Sequence, residues 1–204
     1  VSGITMTDSS ITSYRGMDTG DYYAYGFFGG VVDGSVKNIT FTDFDIFKPG
    51  FTSQNSVTAV AVGALLFSGE VSGIHVGDGS VTGVSRVAGV VGYIGGAKTG
   101  DEGPANTGDA VMGTITVSGN TNDADLTSGW TTSSHGTAAG IIATTNLKSM
   151  TGGTYQITNN INNGSISGFY AAGIVASDFS PSAQVNVTGN KNYGNVTTSC
   201  EVAG

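Results

Sequence analysis

The sequence predicts an all-β protein: a parallel β-helix (solenoid) of about six coils, with three short strands per coil and uncapped ends. Three observations predict it. The composition suits strands and turns, a Gly-apolar-apolar motif returns along the whole chain, and a strand signal of period 2 alternates with that motif. Of 204 residues, 34 are Gly and only 11% are charged, while Ser, Thr and Asn fill most polar positions. Such a palette sustains few helices. Val, Ile, Phe and Tyr recur often enough to bury apolar surface, so disorder is excluded.

The first motif is a small residue or Tyr, then Gly, then an apolar pair. It reads Tyr25-Gly26-Phe27-Phe28, Ala88-Gly89-Val90-Val91, Ala139-Gly140-Ile141-Ile142 and Ala172-Gly173-Ile174-Val175. Val62-Gly63-Ala64-Leu65 is a looser copy, and Gly204 begins a sixth. The second pattern is an inward-outward-inward triplet: Ile4-Thr5-Met6, Ile39-Thr40-Phe41, Ile74-His75-Val76, Ile115-Thr116-Val117, Tyr155-Gln156-Ile157 and Val185-Asn186-Val187. Alternation of that kind marks a strand with one buried face.

Two residues beyond each triplet stands Asp8, Asp43, Asp78, Gly119, Asn159 or Gly189. Asp, Asn and Gly tolerate left-handed backbone angles best, so this column reads as a structural turn made in every repeat. A third apolar position follows. It lies five residues on at Ile11, Ile46 and Val81, and nine on at Leu126, Ile166 and Val196, which implies a corner four residues longer in the second half.

Short strands separated by turns, in repeats of roughly 30 residues, describe a β-solenoid, whose repeats bury their apolar faces only by stacking. A β-propeller would need four antiparallel strands per blade and frequent tight hairpin signals, and a sandwich would need similar hairpins. Asn163-Gly164 is the one Asn-Gly dipeptide. Residues 1–204 are therefore expected to form a single β-helical domain. The chain starts at a second strand and stops on a first one without polar caps, so it is expected to be a segment of a longer protein, or a subunit whose open ends are covered by neighbours.

Seven Lys plus Arg against fifteen Asp plus Glu give a formal charge of −8, which argues against nucleic-acid partners and anionic lipid. No apolar run is long enough to span a bilayer. The single Cys200 makes no internal disulfide.

The Gly-apolar-apolar column resembles the GLUG-type repeats of bacterial and protist secreted surface proteins. Gly89-Val90-Val91-Gly92 and Gly26-Phe27-Phe28-Gly29 carry the resemblance. Gly140-Ile141-Ile142-Ala143 and Gly173-Ile174-Val175-Ala176 depart at the last letter, and Asn162-Asn163-Gly164-Ser165-Ile166-Ser167-Gly168 also fits the family. The resemblance implies a secreted, repetitive, extracellular or cell-surface protein, often adhesive, and brings no catalytic residues.

Asp43 and Asp45 are the nearest approach to a carboxylate pair, and paired carboxylates serve polysaccharide lyases and hydrolases. Asp43, however, falls in the turn column, where backbone geometry explains it. Asp101 and Glu102 lie in a Gly-rich insertion that matches no calcium-loop spacing, and reads as a solvated loop. His75 should face outward, and His135 sits in a loop. Two separated histidines and one cysteine supply no zinc ligand set. No catalytic residue, cofactor or metal is therefore expected.

Asn120, Asn160 and Asn190 follow the turn residue in three successive repeats and predict a stacked amide ladder. Thr7, Thr42, Ser118, Thr158 and Thr188 form an outward column; unequal repeat lengths argue against an ice-binding face. Sequons at Asn38, Asn163, Asn186 and Asn195 are candidate glycosylation acceptors in a eukaryotic source. The function expected is a non-enzymatic stalk, adhesin module or filament subunit. Its partners would be glycans or cell-surface proteins, met through insertions 47–60, 93–112 and 128–137, or further copies of itself, met through its open ends. The alternative is a carbohydrate-active β-helix enzyme.

Overall fold

The computed structural model describes residues 1–7, 10–12, 23–47, 56–95, 111–129, 136–145, 151–176 and 183–203. These residues form two open sheets of 12 and 10 strands, and every strand pairing in both is parallel. Each residue pairs with one roughly a repeat further along, as a chain wound about an axis requires. The fold is all-β and solenoid-like, consistent with a β-helix.

One sheet stacks Ser2–Thr7, Phe28–Thr42, Val62–Ser72, Val111–Ser118, Thr151–Thr158 and Gln184–Thr188. The other stacks Ser10–Thr12, Phe44–Phe47, Gly79–Gly83, Asp125–Ser128, Ile166–Ala172 and Val196–Ala203. Alternate side chains point inward and lie over one another. Val36, Val71, Val117 and Ile157 form one buried row; Ile46, Val81, Leu126 and Ile166 form a second. Burying a branched aliphatic side chain contributes about 1.5–3 kcal/mol, so such rows dominate cohesion.

The registers revise the sequence expectation at one strand. Val117 pairs with Val71, not with Val76; the partner of Val76 is Asn122. The triplets Ile39-Thr40-Phe41 and Ile74-His75-Val76 are thus continued by Asn120-Thr121-Asn122, Asn160-Ile161-Asn162 and Asn190-Lys191-Asn192. The expected turn column consequently divides in two. Gly119, Asn159 and Gly189 share a row with Gly3, Asn38 and Gly73, and all six adopt positive φ, from 53° to 70°. Asp43 lies five residues past Asn38 and has φ 51°, whereas Asp78 beside it is not left-handed. Asp8 lies outside the described residues.

The expected corner lengths change for the same reason. Val76 to Val81 is five steps and Asn122 to Leu126 is four, so the second-half corner is one residue shorter rather than four longer. The outward Thr column likewise splits, with Thr7 pairing Thr42, and Ser118 pairing Ser72 and Thr158. The looser Gly motif shifts too. Val62 pairs with Val91, which puts Val60 rather than Gly63 in line with Gly89.

Candidate functional site

The wound register lines the interior of one corner with asparagine. Asn160 Oδ1 accepts from Asn120 N (3.1 Å) and Asn120 Nδ2 (2.9 Å), while Asn160 Nδ2 donates to Val117 O (2.9 Å) and Asn190 Oδ1 (2.9 Å). Asn120 Nδ2 donates to Val71 O, and its Oδ1 accepts from Ile74 N. This is the ladder the sequence predicts. A second ladder, which sequence reasoning missed, runs two residues on. Asn122 Nδ2 donates to Asn162 Oδ1, and Asn162 Nδ2 to Asn192 Oδ1, each at 2.7 Å. The signal for it was the thrice-repeated Asn-x-Asn. Asn120, Asn122, Asn160 and Asn162 are fully buried, and a buried polar group is tolerated only when its bonds are made.

The second ladder explains the glycines at 89, 140 and 173. A Cβ on Gly89 would lie 2.4 Å from Asn122 Oδ1, and one on Gly140 would lie 2.4 Å from Asn162 Oδ1 and 2.3 Å from Gly173 O. Gly173 stands equally close to Asn192. Only glycine lets the amides cross the interior there. Where the lining is Val76, Val60 replaces the glycine. Asn122 Oδ1, at the foot of the ladder above Val76, has no hydrogen-bond partner among the described residues.

Outside, a shallow groove of about 610 Å³ is lined by Asp33, Lys37, Ser68, Glu70, Thr114 and Thr116 with intervening glycines. Lys37 Nζ pairs with Glu70 Oε2, and Ser72 Oγ donates to Glu70 Oε1 at 2.8 Å. The Lys37 ammonium, then the Ser72 hydroxyl, hold the Glu70 carboxyl below its usual range despite some burial. Ser68 Oγ donates to Asp33 Oδ1 at 2.6 Å. Deeper in the same sheet, burial pushes the Tyr155 phenol up to about 12.

The carboxylates Asp43, Asp45 and Asp78 gather along a different line, joined there by Asp123 and Asp125. Asp43, Asp78 and Asp123 lie between the sheets, Asp45 and Asp125 stand at the start of the strands that follow, and all except Asp123 are exposed. Ser80 Oγ donates to Asp45 Oδ1 at 3.1 Å, and Ser165 N to Asp125 Oδ1 at 2.8 Å. His75 faces outward, its Nε2 2.7 Å from Asp123 Oδ2, while Asn163 Nδ2 donates to Asp123 Oδ1 at 2.6 Å. Each contact ties one winding to the next. Among the described residues no group of three or more His, Cys, Asp or Glu is placed to hold a metal ion.

Asn38, Asn163, Asn186 and Asn195 are all exposed, as is Cys200. Asn186 Nδ2 donates to Gln156 Oε1 at 2.8 Å. Asp101, Glu102 and His135 lie outside the described residues, as do most of the expected insertions. No helix among the described residues is long and apolar enough to cross a membrane. No protein-family model matches the chain, and neither a curated protein nor a solved structure matches it.

Proposed function

We propose that the chain is a non-enzymatic structural or adhesive segment of an extracellular or cell-surface protein, a β-helix of about six coils acting as stalk or adhesin module. The observation that carries the reading is the unbroken succession of interwinding rows. Apolar side chains, then amide ladders, join each winding to the next, as a stiff spacer needs. The exposed sequon asparagines fit a glycosylated surface. The kinship with GLUG-type repeats belongs to the same reading; it rests on the glycines at 26, 89, 140 and 173, the last three of which share a structural row.

The competing reading is a carbohydrate-active enzyme using Asp43 and Asp45. The carboxylates collected along the bends favour it. Against it, Asp45 and Asp125 are engaged by Ser80 and Ser165, and the groove containing Asp33 and Glu70 lies on other rows.

The test combines electron microscopy, a glycan array and a depolymerisation assay on the purified protein. Rods that bind glycans or cell-surface proteins without turnover support the proposal. Polysaccharide turnover that disappears in Asp43→Asn would replace it with the enzymatic reading.

A further inference from the structure

We propose that the outer face of the larger sheet, over Val111–Ser118 and Thr151–Thr158, is a binding surface for a neutral polysaccharide lying along the axis. Both strands are interior to the sheet. Val62–Ser72 flanks them on one side and Gln184–Thr188 on the other, so the face is made by side chains and not by an open edge. Alternation turns Ile115, Val117, Tyr155 and Ile157 into the core, all 0% exposed. It turns Thr114, Thr116, Ser118, Thr154, Gln156 and Thr158 outward, and none of these six is buried.

The register sets the six in a lattice. Thr114 stands beside Thr154, Thr116 beside Gln156, and Ser118 beside Thr158. Neighbouring windings lie about 4.8 Å apart, and alternate residues about 6.6 Å apart along a strand. Five of the six are hydroxyls and the sixth is an amide, so every position both donates and accepts.

Charge sets this face apart. The protein carries a formal charge of −8, yet neither strand holds an Asp, Glu, Lys, Arg or His. Where the face meets the groove, Glu70 is paired with Lys37 and Asp33 with Ser68. A charged partner laid on the lattice would give up water and gain no countercharge. A neutral sugar chain suffers no such loss, because each of its hydroxyls exchanges water for a group that also donates and accepts. The groove of about 610 Å³ runs into the lattice at Thr114 and Thr116, which line both. Its volume falls within the roughly 300–1,000 Å³ of small-ligand clefts, and its shallowness lets a chain seated there continue over Gln156. This surface rests on the adhesive reading above, and it moves recognition from the insertions to the sheet.

The test follows the purified full chain by amide and methyl NMR during titration with cellotetraose and mannotetraose, the neutral probes, and tetragalacturonate, the acidic one. Saturable binding of a neutral probe is expected, with shifts at Val62–Ser72, Val111–Ser118 and Thr151–Thr158. Thr116→Val combined with Thr154→Val should weaken it at least about tenfold, valine keeping the strand preference while removing the hydroxyls. Thr127→Val, at an exposed position on the other sheet, should leave it unchanged. Shifts confined to the insertions or the bends, equal binding by the double variant, preference for tetragalacturonate, or binding of neither neutral probe each overturns the inference. A glycan or cell-surface protein bound elsewhere would then still leave the adhesive reading standing. Conversely, polysaccharide turnover lost in Asp43→Asn removes that reading, while neutral-probe binding at this face that persists in the same variant supports the surface.

Discussion

Replacing Asn160 by alanine is expected to cost about 4 kcal/mol, far more than replacing Asn190. Removing the Asn160 amide strands the Asn120 N–H, one Asn120 Nδ2 hydrogen and Val117 O, all in a fully buried row. Each buried group left unpaired costs about 1–3 kcal/mol, so three span about 3–9 kcal/mol, and partial relaxation keeps the sum near the lower end. Asn190→Ala strands the Asn160 N–H, one Asn160 Nδ2 hydrogen and Ile157 O, but at a partly buried step which water can approach. About 1–2 kcal/mol is expected there. Urea unfolding followed by circular dichroism gives both numbers.

Asn160→Asp separates loss of bonding from loss of bulk. An aspartate still accepts from Asn120 but opposes Val117 O and Asn190 Oδ1, and burial raises its folded pKa above the unfolded value of about 3.9. Its contribution is then fully present below about 3.9 and lost as pH rises through the raised folded value. The aspartate variant should therefore regain stability on acidification relative to the alanine variant. A cost below about 1 kcal/mol for Asn160→Ala, or equal costs at 160 and 190, would refute the reasoning.

Three further outcomes are expected. Gly140→Ala drives a methyl against Gly173 O and should cost about 3 kcal/mol, whereas Gly119→Ala, with open space around it but φ 62°, should cost only the left-handed strain of about 1 kcal/mol, both read by chemical denaturation. Lys37→Ala should move the Glu70 titration upward toward 4.5, because the strongest partner holding it down is gone; carboxyl carbon shifts against pH measure this directly. Val76→Asn supplies a donor to Asn122 Oδ1 but meets Val60, so it should destabilise alone and recover at least about 1 kcal/mol with Val60→Gly in a double-mutant cycle.

The sequence exposed the apolar rows because period-2 alternation registers directly which faces are buried. Ile11, Ile46, Val81, Leu126, Ile166 and Val196 fall in one row as their spacing suggested. It misaligned the triplets at Val117 because an inward asparagine looks like a turn residue to any hydrophobicity count. Its burial is repaid only by another asparagine stacked 30 or 40 residues away. The place of Val60 was hidden separately, because Val62-Gly63-Ala64-Leu65 copies the glycine motif three residues later. The pairing of Lys37 with Glu70 depends on register alone, since nothing local to either residue announces it. The amide ladder at 120, 160 and 190 was legible because three equivalent positions repeated one unusual letter.

The steric fit of glycine to amide across the interior has a consequence for how such a chain could be recombined. Gly89 belongs with Asn122, Gly140 with Asn162, and Gly173 with Asn192. A crossover that carries one member of a pair without the other would set a valine against an amide, or leave a hole beside an aliphatic. The transferable cassette therefore begins before the glycine and closes after the second asparagine, and a splice placed anywhere inside it would break the match.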